Sequence, residues 1–359
     1  MSRPASVTIN LSALRHNLAR VRQLAKDSRV MAIIKADAYG HGLIRAASHL
    51  ADADAFGVAC MEEARELRHA DINKRIMLLE GPYSGEELAE ISDLDLEIMV
   101  HDPSQLEMLE KTRVKKPLVA WMKIDTGMHR LGFLPEQVES AWARLQSCTA
   151  IDPKVHLATH LAVATERDNP MTEQQIETFV ELTADKDTPK SIANSAGVLA
   201  FPESHADWVR PGIMLYGISP MSDSTARDEQ LQPVMTLHTR LIAVKTLKKN
   251  ECVGYGATWR CPEDMPVGIV AAGYGDGYPR HAPSGTPVLV SGQRVTLIGR
   301  ASMDMLIVDL RQHPTAQVGD PVVLWGDGLP VEEVANHAGT IPYELLCGVH
   351  KRLRLIEHG

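Results

Sequence analysis

The feature that most constrains this chain is a rhythm. Short apolar runs alternate with amphipathic, helix-like stretches through the first two-thirds of its 359 residues. The β-like runs fall at 30–34, 55–59, 75–79, 96–100, 118–124, 154–159, 191–194 and 208–209. Near-continuous apolar strands imply burial on both faces, hence a parallel sheet with helical crossovers. Eight such units predict a closed (β/α)8 barrel of the TIM type. The first helix is legible from Leu11, Leu14, Leu18, Val21 and Leu24, which recur at three- and four-residue steps with basic residues between them. Capping boxes are expected at Ser84-x-x-Glu87 and Thr172-x-x-Gln175.

Around Gln232-Pro233 the rhythm changes. Strand-like runs at 237–247, 267–272, 287–290, 295–298, 305–310 and 321–325 are separated by Gly, Pro and Asp turns, and Ser291-Gly292 predicts a hairpin. Only 331–337 and 343–349 carry helical patterning. The expected fold class is α/β: a barrel over 10–232, then a mostly-β domain over 233–359.

Composition narrows the function. A net charge of −9 and the lack of a basic stripe argue against nucleic acid as a partner. No run approaches the ~20 apolar residues of a membrane helix. The opening Met1-Ser2-Arg3-Pro4-Ala5-Ser6 has no apolar signal-peptide core. The five cysteines (Cys60, Cys148, Cys252, Cys261 and Cys347) form no close pair, which speaks against a disulfide framework or a metal site and for a reducing cytoplasm.

A barrel enzyme displays its chemistry at the C-terminal ends of its strands. Here those ends carry Lys35, Asp125 with Arg130 in its loop, His160, the pair Asn194-Ser195, and Arg210 followed by Gly212-Ile213. Each has an ordinary reading: a charge closing a strand, a packed histidine, a surface arginine. Together they make a lysine, two arginines, a histidine and a phosphate-sized set of donors converge on one mouth. A lysine leaving the apolar run Val30–Ile34 is placed where burial favours the neutral amine that attacks an aldehyde. Ser195 and the N–H groups of Gly212 and Ile213 suit a phosphate in the position where barrels commonly seat one.

At this point the residues resemble a known family. Ile34-Lys35-Ala36-Asp37-Ala38-Tyr39-Gly40-His41-Gly42 is similar to the cofactor-lysine motif of alanine racemases, with Asp37 where that family usually has Asn. Lys123 to Gly132, Trp208 to Ile213, Val253 to Trp259, Gly273 to Arg280 and Gly299 to Met305 resemble further motifs of the family, in order and spacing. The resemblance implies that residues 1–9 join the C-terminal domain. It also implies pyridoxal 5'-phosphate as the cofactor, bonded to Lys35. Tyr39, Ser195, Gly212, Ile213 and Tyr343 would hold the phosphate, and Arg210 would face the pyridine nitrogen. Arg130 and the Met303 N–H would bind the substrate carboxylate, beside Lys123, a position often carbamylated in the family.

By the same resemblance the activity is interconversion of L- and D-alanine, for cell-wall synthesis or for catabolism. Lys35 is one base, and Tyr255, reaching into the partner subunit's barrel in a homodimer, is the other, with His160 and Arg210 tuning it. Tyr274, Arg280 and Arg300, with Tyr278 and Tyr343, would line the substrate's approach. The family's acid near His160 is replaced by Thr165, which alters that approach without touching the bases. Three alternatives stay open: a barrel decarboxylase of basic amino acids, a racemase of wider specificity, and a cofactor-binding protein without turnover. Arg210 speaks against the decarboxylase, which places a carboxylate at the pyridine nitrogen. Tyr255 and the β domain speak against the passive binder.

Overall fold

The computed structural model describes residues 3–359 of the protein. The chain opens with β1 (Ser6–Asn10), and Asn10 caps the helix Leu11–Leu24 by accepting the Ala13 N–H at 3.0 Å. The helix buries Leu11, Leu14, Leu18 and Val21, the stripe its periodicity predicts.

Eight parallel strands follow and close on themselves: β2 (Arg29–Ile33), β3 (Ala55–Val58), β4 (Arg75–Leu78), β5 (Glu97–Val100), β6 (Ala120–Lys123), β7 (His156–Ala158), β8 (Lys190–Ser191) and β9 (Trp208–Val209). Closure is the pairing of Arg29 with Trp208 and of Val30 with Val209. Every expected barrel strand is present, and six of the eight end earlier than their apolar runs, β5 and β9 ending where expected. Lys35, Asp125, His160 and Asn194 therefore sit in the loops just past the strands, free of ladder hydrogen bonds.

The opposite end of the barrel is plugged. Arg75 lies over the Trp208 ring at 4.9 Å, Glu97 accepts from Trp121 Nε1 at 2.7 Å and from Arg75, and His156 meets the Trp121 ring edge-on at 4.4 Å. This floor is stability; the chemistry is left to the other mouth.

The remaining strands are β10 (Met235–Leu247), β11 (Cys252–Val253), β12 (Trp259–Arg260), β13 (Met265–Val270), β14 (Pro287–Val290), β15 (Gln293–Leu297), β16 (Leu306–Asp309), β17 (Pro321–Trp325) and β18 (Arg354–His358). The main sheet runs β13-β16-β15-β14-β17-β10-β1-β18, and a further β13–β10 pairing joins its long strand back to its first. One 13-residue strand does both jobs: Leu237–Arg240 pair with β17, and Leu241–Leu247 with β13. β1 pairs with β10 and β18, so the first strand packs with the C-terminal domain. Ser291 and Gly292 take positive φ between β14 and β15, as the hairpin requires. The helices Val331–Ala338 and Pro342–Cys347 lie where the sequence placed them.

Both predicted capping boxes are corrected. Glu87 accepts the Tyr83 N–H at 2.7 Å, so Ser84 does not cap the helix Glu87–Asp93. Gln175 accepts the Ala162 N–H at 2.9 Å and donates to His160 O at 3.1 Å. It braces the loop after β7, while Asn169 caps Met171. No described helix is long and apolar enough to cross a membrane.

Asn17 ties the first helix to the segment that closes the barrel domain. Fully buried, it donates to Leu215 O at 3.0 Å and Gln232 O at 2.8 Å, and accepts the Gln232 N–H at 2.8 Å. Asn17→Ala leaves these backbone groups without partners and is expected to lower stability by about 2–4 kcal/mol in urea denaturation.

Candidate active site

The site begins with an unusual piece of backbone. After the buried Ile33 and Ile34, the chain turns left-handed at Ala36, Asp37, Ala38 and Tyr39 (φ 52–54°) and at Gly40 (φ 78°). Such a conformation costs roughly 1–2 kcal/mol per non-glycine residue and is normally confined to single positions. Several contacts hold it. The Ala36 N–H donates to Glu63 Oε1 at 2.6 Å, and the Leu43 N–H to Asp37 Oδ1 at 2.7 Å. His41 Nδ1 lies 3.0 Å from the carbonyl oxygens of both Ala38 and Tyr39. A Cβ on Gly40 would sit 2.3 Å from Leu346 O, so only glycine lets the turn meet the helix Pro342–Cys347. Nothing in the sequence announces the handedness. The turn presents Lys35 and Tyr39 to the barrel mouth.

The mouth holds a cavity of about 660 Å³. It gathers Lys35, Tyr39, Lys123, Arg130, His160, Ser195, Arg210, Gly212, Ile213 and Tyr343, ten of the sequence-predicted residues. Thr165 lines it too, as do Leu79, Glu80, Met99 and Cys347, which carried no sequence signal of their own.

On one wall Ser195 starts the short helix Ser195–Ala200, whose Asn194 cap accepts the Gly197 N–H at 3.0 Å. Ser195 Oγ accepts the Gly212 N–H at 2.8 Å. A Cβ on Gly212 would stand 2.4 Å from Tyr39 Oη, so the missing side chain is what lets the phenol approach this backbone. The rings of Tyr39 and Tyr343 lie 5.9 Å apart, and Tyr216 backs Tyr39 at 4.7 Å while donating to Ile33 O at 3.0 Å. Burial raises the Tyr343 phenol to about 12 and pushes Tyr39 higher still, so both are neutral hydroxyl donors.

The opposite wall is cationic. Arg210, buried, donates to Ser191 Oγ, Thr159 O and Ile192 O, which fixes the guanidinium plane. Burial lowers it to about 10, still charged at neutral pH. Lys123 is lowered to about 8, first by burial and then by Arg130 and Arg210. His160 is held well below the usual histidine value by burial and by Arg210, so its imidazole is neutral. Asp125 is committed to backbone, accepting the Gly127 N–H at 2.9 Å and the His129 N–H at 3.0 Å.

Five predicted residues lie apart from this cavity, on the C-terminal domain. Tyr255 is 67 % exposed, Met303 53 % and Tyr274 39 %. Arg280 stacks over Tyr274 at 5.9 Å, and Arg300 packs beside Gly256, next to Tyr255. Arg3 and Arg352 clamp the buried Asp276 at 2.6 and 2.9 Å and also bind Asp304, and the Tyr274 N–H donates to Ser302 O at 3.0 Å. Tyr274 and Met303 therefore stand on a braced surface. Tyr278 is a correction: it is buried inside the β domain, stacked on Trp325 at 6.1 Å, and lines no approach to the cavity.

Comparison with known proteins agrees with this geometry. Residues 9–220 match the alanine racemase N-terminal domain family and residues 234–356 the alanine racemase C-terminal domain family. An alanine racemase of Halorhodospira halophila is 53% identical over 357 residues, covering 99% of this chain and 98% of the relative. One of Nitrosococcus oceani is 54% identical over 345 residues, 96% and 97% of the two chains. Among solved structures, the biosynthetic alanine racemase of Pseudomonas aeruginosa superposes with a TM-score of 0.97 at 46% identity, covering 100% of both chains.

The buried histidines carry a pH prediction. Burial lowers His41 and His156 to about 4, and His160 is depressed as well. An unfolded chain protonates these imidazoles below about pH 6.5, whereas the fold keeps them neutral. The unfolded state therefore binds more protons in that window. Stability is expected to be full above about pH 6.5 and to decline toward pH 4, read by urea denaturation at successive pH values.

Proposed function

This chain belongs to the alanine racemase family and interconverts the enantiomers of alanine, and from that premise we propose that it does so with pyridoxal 5'-phosphate bound to Lys35 and two bases, one lent by a second copy of the chain. The observation that carries this reading is the partition of the predicted residues. Those assigned to the cofactor line one cavity, whereas Tyr255 stands exposed on the other domain.

The donor set fits a phosphorylated aldehyde. Lys35 offers a primary amine at the rim. Tyr39 and Tyr343 offer neutral hydroxyls, Ser195 a third, and Gly212 and Ile213 backbone N–H groups, where a Cβ on Gly212 would close the space. Arg210 has only donors, so a pyridine nitrogen facing it stays an unprotonated acceptor, which disfavours side reactions of a long-lived carbanion. When bound, pyridoxal phosphate withdraws electrons from the substrate's α-carbon and so acidifies its proton.

Racemisation then needs one acid-base group on each face of the substrate. Lys35 Nζ holds the proton on one face and acts on D-alanine. Tyr255 Oη from the partner subunit holds it on the other and acts on L-alanine. A phenol titrates near ~10, so its anion needs cationic or hydrogen-bonding neighbours to serve as a base, and the cavity wall supplies Arg210 with His160 beside it. Arg130 and the Met303 N–H orient the substrate carboxylate. With a pKa of about 8, Lys123 has enough neutral amine for carbamylation, which would turn a cation beside Arg130 into an anion. Tyr274, Arg280 and Arg300 line the approach from the partner. Size selection against a larger side chain is worth only about 1–3 kcal/mol, so small amino acids such as serine react slowly.

The domain boundary in this reading lies near residue 232, and the reaction runs in the cytoplasm. The likeness to an enzyme described as biosynthetic favours supply of D-alanine for cell-wall synthesis over its breakdown.

The decisive experiment assays a panel of amino-acid enantiomers with cofactor-loaded protein. Alanine should racemise fastest, and borohydride should fix the chromophore onto the peptide containing Lys35. A colourless protein that stays inactive with added cofactor overturns the reading. For the second base, Tyr255→Phe is expected to slow α-proton loss from L-alanine by about 10²–10⁴-fold, and far less from D-alanine. Mixing Lys35→Ala chains with Tyr255→Phe chains should restore activity after subunit exchange, because one mixed site keeps both bases.

A further inference from the structure

Glu63 has no part in the chemistry above, yet it grips the residue next to Lys35. It lies on the first turn of the helix Met61–His69, which follows β3. Its Oε2 accepts the N–H of Ala59, the residue before the Cys60 N-cap, at 2.8 Å, a variation on the capping task of an acid at the third position of a helix. A cap needs one oxygen. The other, Oε1, accepts the Ala36 N–H at 2.6 Å, 27 residues away in sequence. Ala36 is the first residue of the left-handed run, and the remaining contacts on that run act further along it: Asp37 on Leu43, His41 on Ala38 and Tyr39, and Gly40 against Leu346. A run of four non-glycine left-handed residues persists only where its surroundings over-determine it.

We propose that Glu63 is the positioning residue of the lysine site. By accepting the Ala36 and Ala59 N–H groups with one carboxylate, it locks the start of the left-handed turn to the next loop and so aims Lys35 and Tyr39 into the cavity. This rests on Lys35 being the cofactor lysine. Glu63 is absent from the cavity lining, so its effect falls on how well Lys35 is held and not on how tightly alanine binds.

Two variants test this. Glu63→Gln keeps the shape, but only one of its terminal atoms accepts, so one of the two N–H groups loses its partner. Glu63→Ala removes both. In the protein without cofactor, hydrogen exchange of the backbone amides over 36–42 is expected to speed up about 10- to 100-fold in Glu63→Gln, the worth of one hydrogen bond to a charged group, with exchange in the other barrel strands unchanged. In the loaded enzyme, kcat for alanine should fall about 10-fold or more with KM within about twofold, and borohydride should fix less cofactor on Lys35 at a given cofactor concentration. Wild-type exchange over 36–42 together with wild-type kcat in Glu63→Gln overturns the proposal and leaves Glu63 a helix cap, whatever happens to thermal stability. Should Glu63→Ala fail to fold, the Glu63→Gln measurements decide. Should the wild-type chain take up no cofactor, the functional reading fails, while the exchange arm still decides whether Glu63 holds the turn.

Discussion

Closure of the parallel barrel is the constraint from which the rest follows. Once Arg29 pairs with Trp208 and Val30 with Val209, the C-terminal ends of all eight strands face one mouth. Residues from four regions of the chain, Lys35, Lys123 with Arg130, His160 and Arg210, are thereby brought around one cavity. Four of these five are basic side chains, and self-repulsion among cations in a partly desolvated space is costly unless anions enter. Lowered proton affinity at Lys123 and a neutral His160, set first by burial and then by the neighbouring cations, register that stress in the chain itself. Asp125 turns its hydrogen bonds to the local loop, accepting the Gly127 and His129 N–H groups. A cavity of this kind is preorganised for phosphate and carboxylate groups, and for a phenol asked to give up its proton.

The left-handed turn after Lys35 is a second consequence. A strand continued as an ordinary right-handed helix would carry the next residues along a different path. The reversed turn instead brings Tyr39 against Gly212 and lays Gly40 against the helix Pro342–Cys347 of the other domain. That contact couples the C-terminal domain to the lysine loop, and Tyr343 completes the cavity wall from the same helix. Local strain is thus balanced by an inter-domain contact.

Much of this was legible in the sequence, for physical reasons that differ by element. Barrel strands are buried on both faces, so they appear as apolar runs, and all eight were found. The expected ends of six run past the ladders, because residues such as Ile34, Ile124 and Ile192 are buried just outside them and extend the apolar runs. β18 escaped notice because Arg354–His358 is mostly exposed and its partner, β1, lies over 300 residues away. The capping boxes failed because Gln175 has a better use inside the loop after β7. The left-handed turn has no local code beyond Gly40, since Ala36, Asp37 and Ala38 gain their φ from tertiary contacts. Tyr278 was misjudged because a Gly-rich motif carries no information about which of its two tyrosines faces inward.

The cavity also bears on why one chain would need another. Among its lining groups, Tyr39 and Tyr343 are driven by burial away from the phenolate, and His160 is kept a weak base by burial and then by Arg210. Neither kind is suited to take a proton from carbon. Lys123, at about 8, is a resident rival to Lys35, but it closes β6 near Arg130 and Arg210, and protonating it would add charge to an already cationic wall. A phenol arriving from outside has the opposite balance: its anion is the form the wall stabilises. In the proposed reading that phenol is Tyr255, which stands exposed on the C-terminal domain and is not committed to the barrel of its own chain.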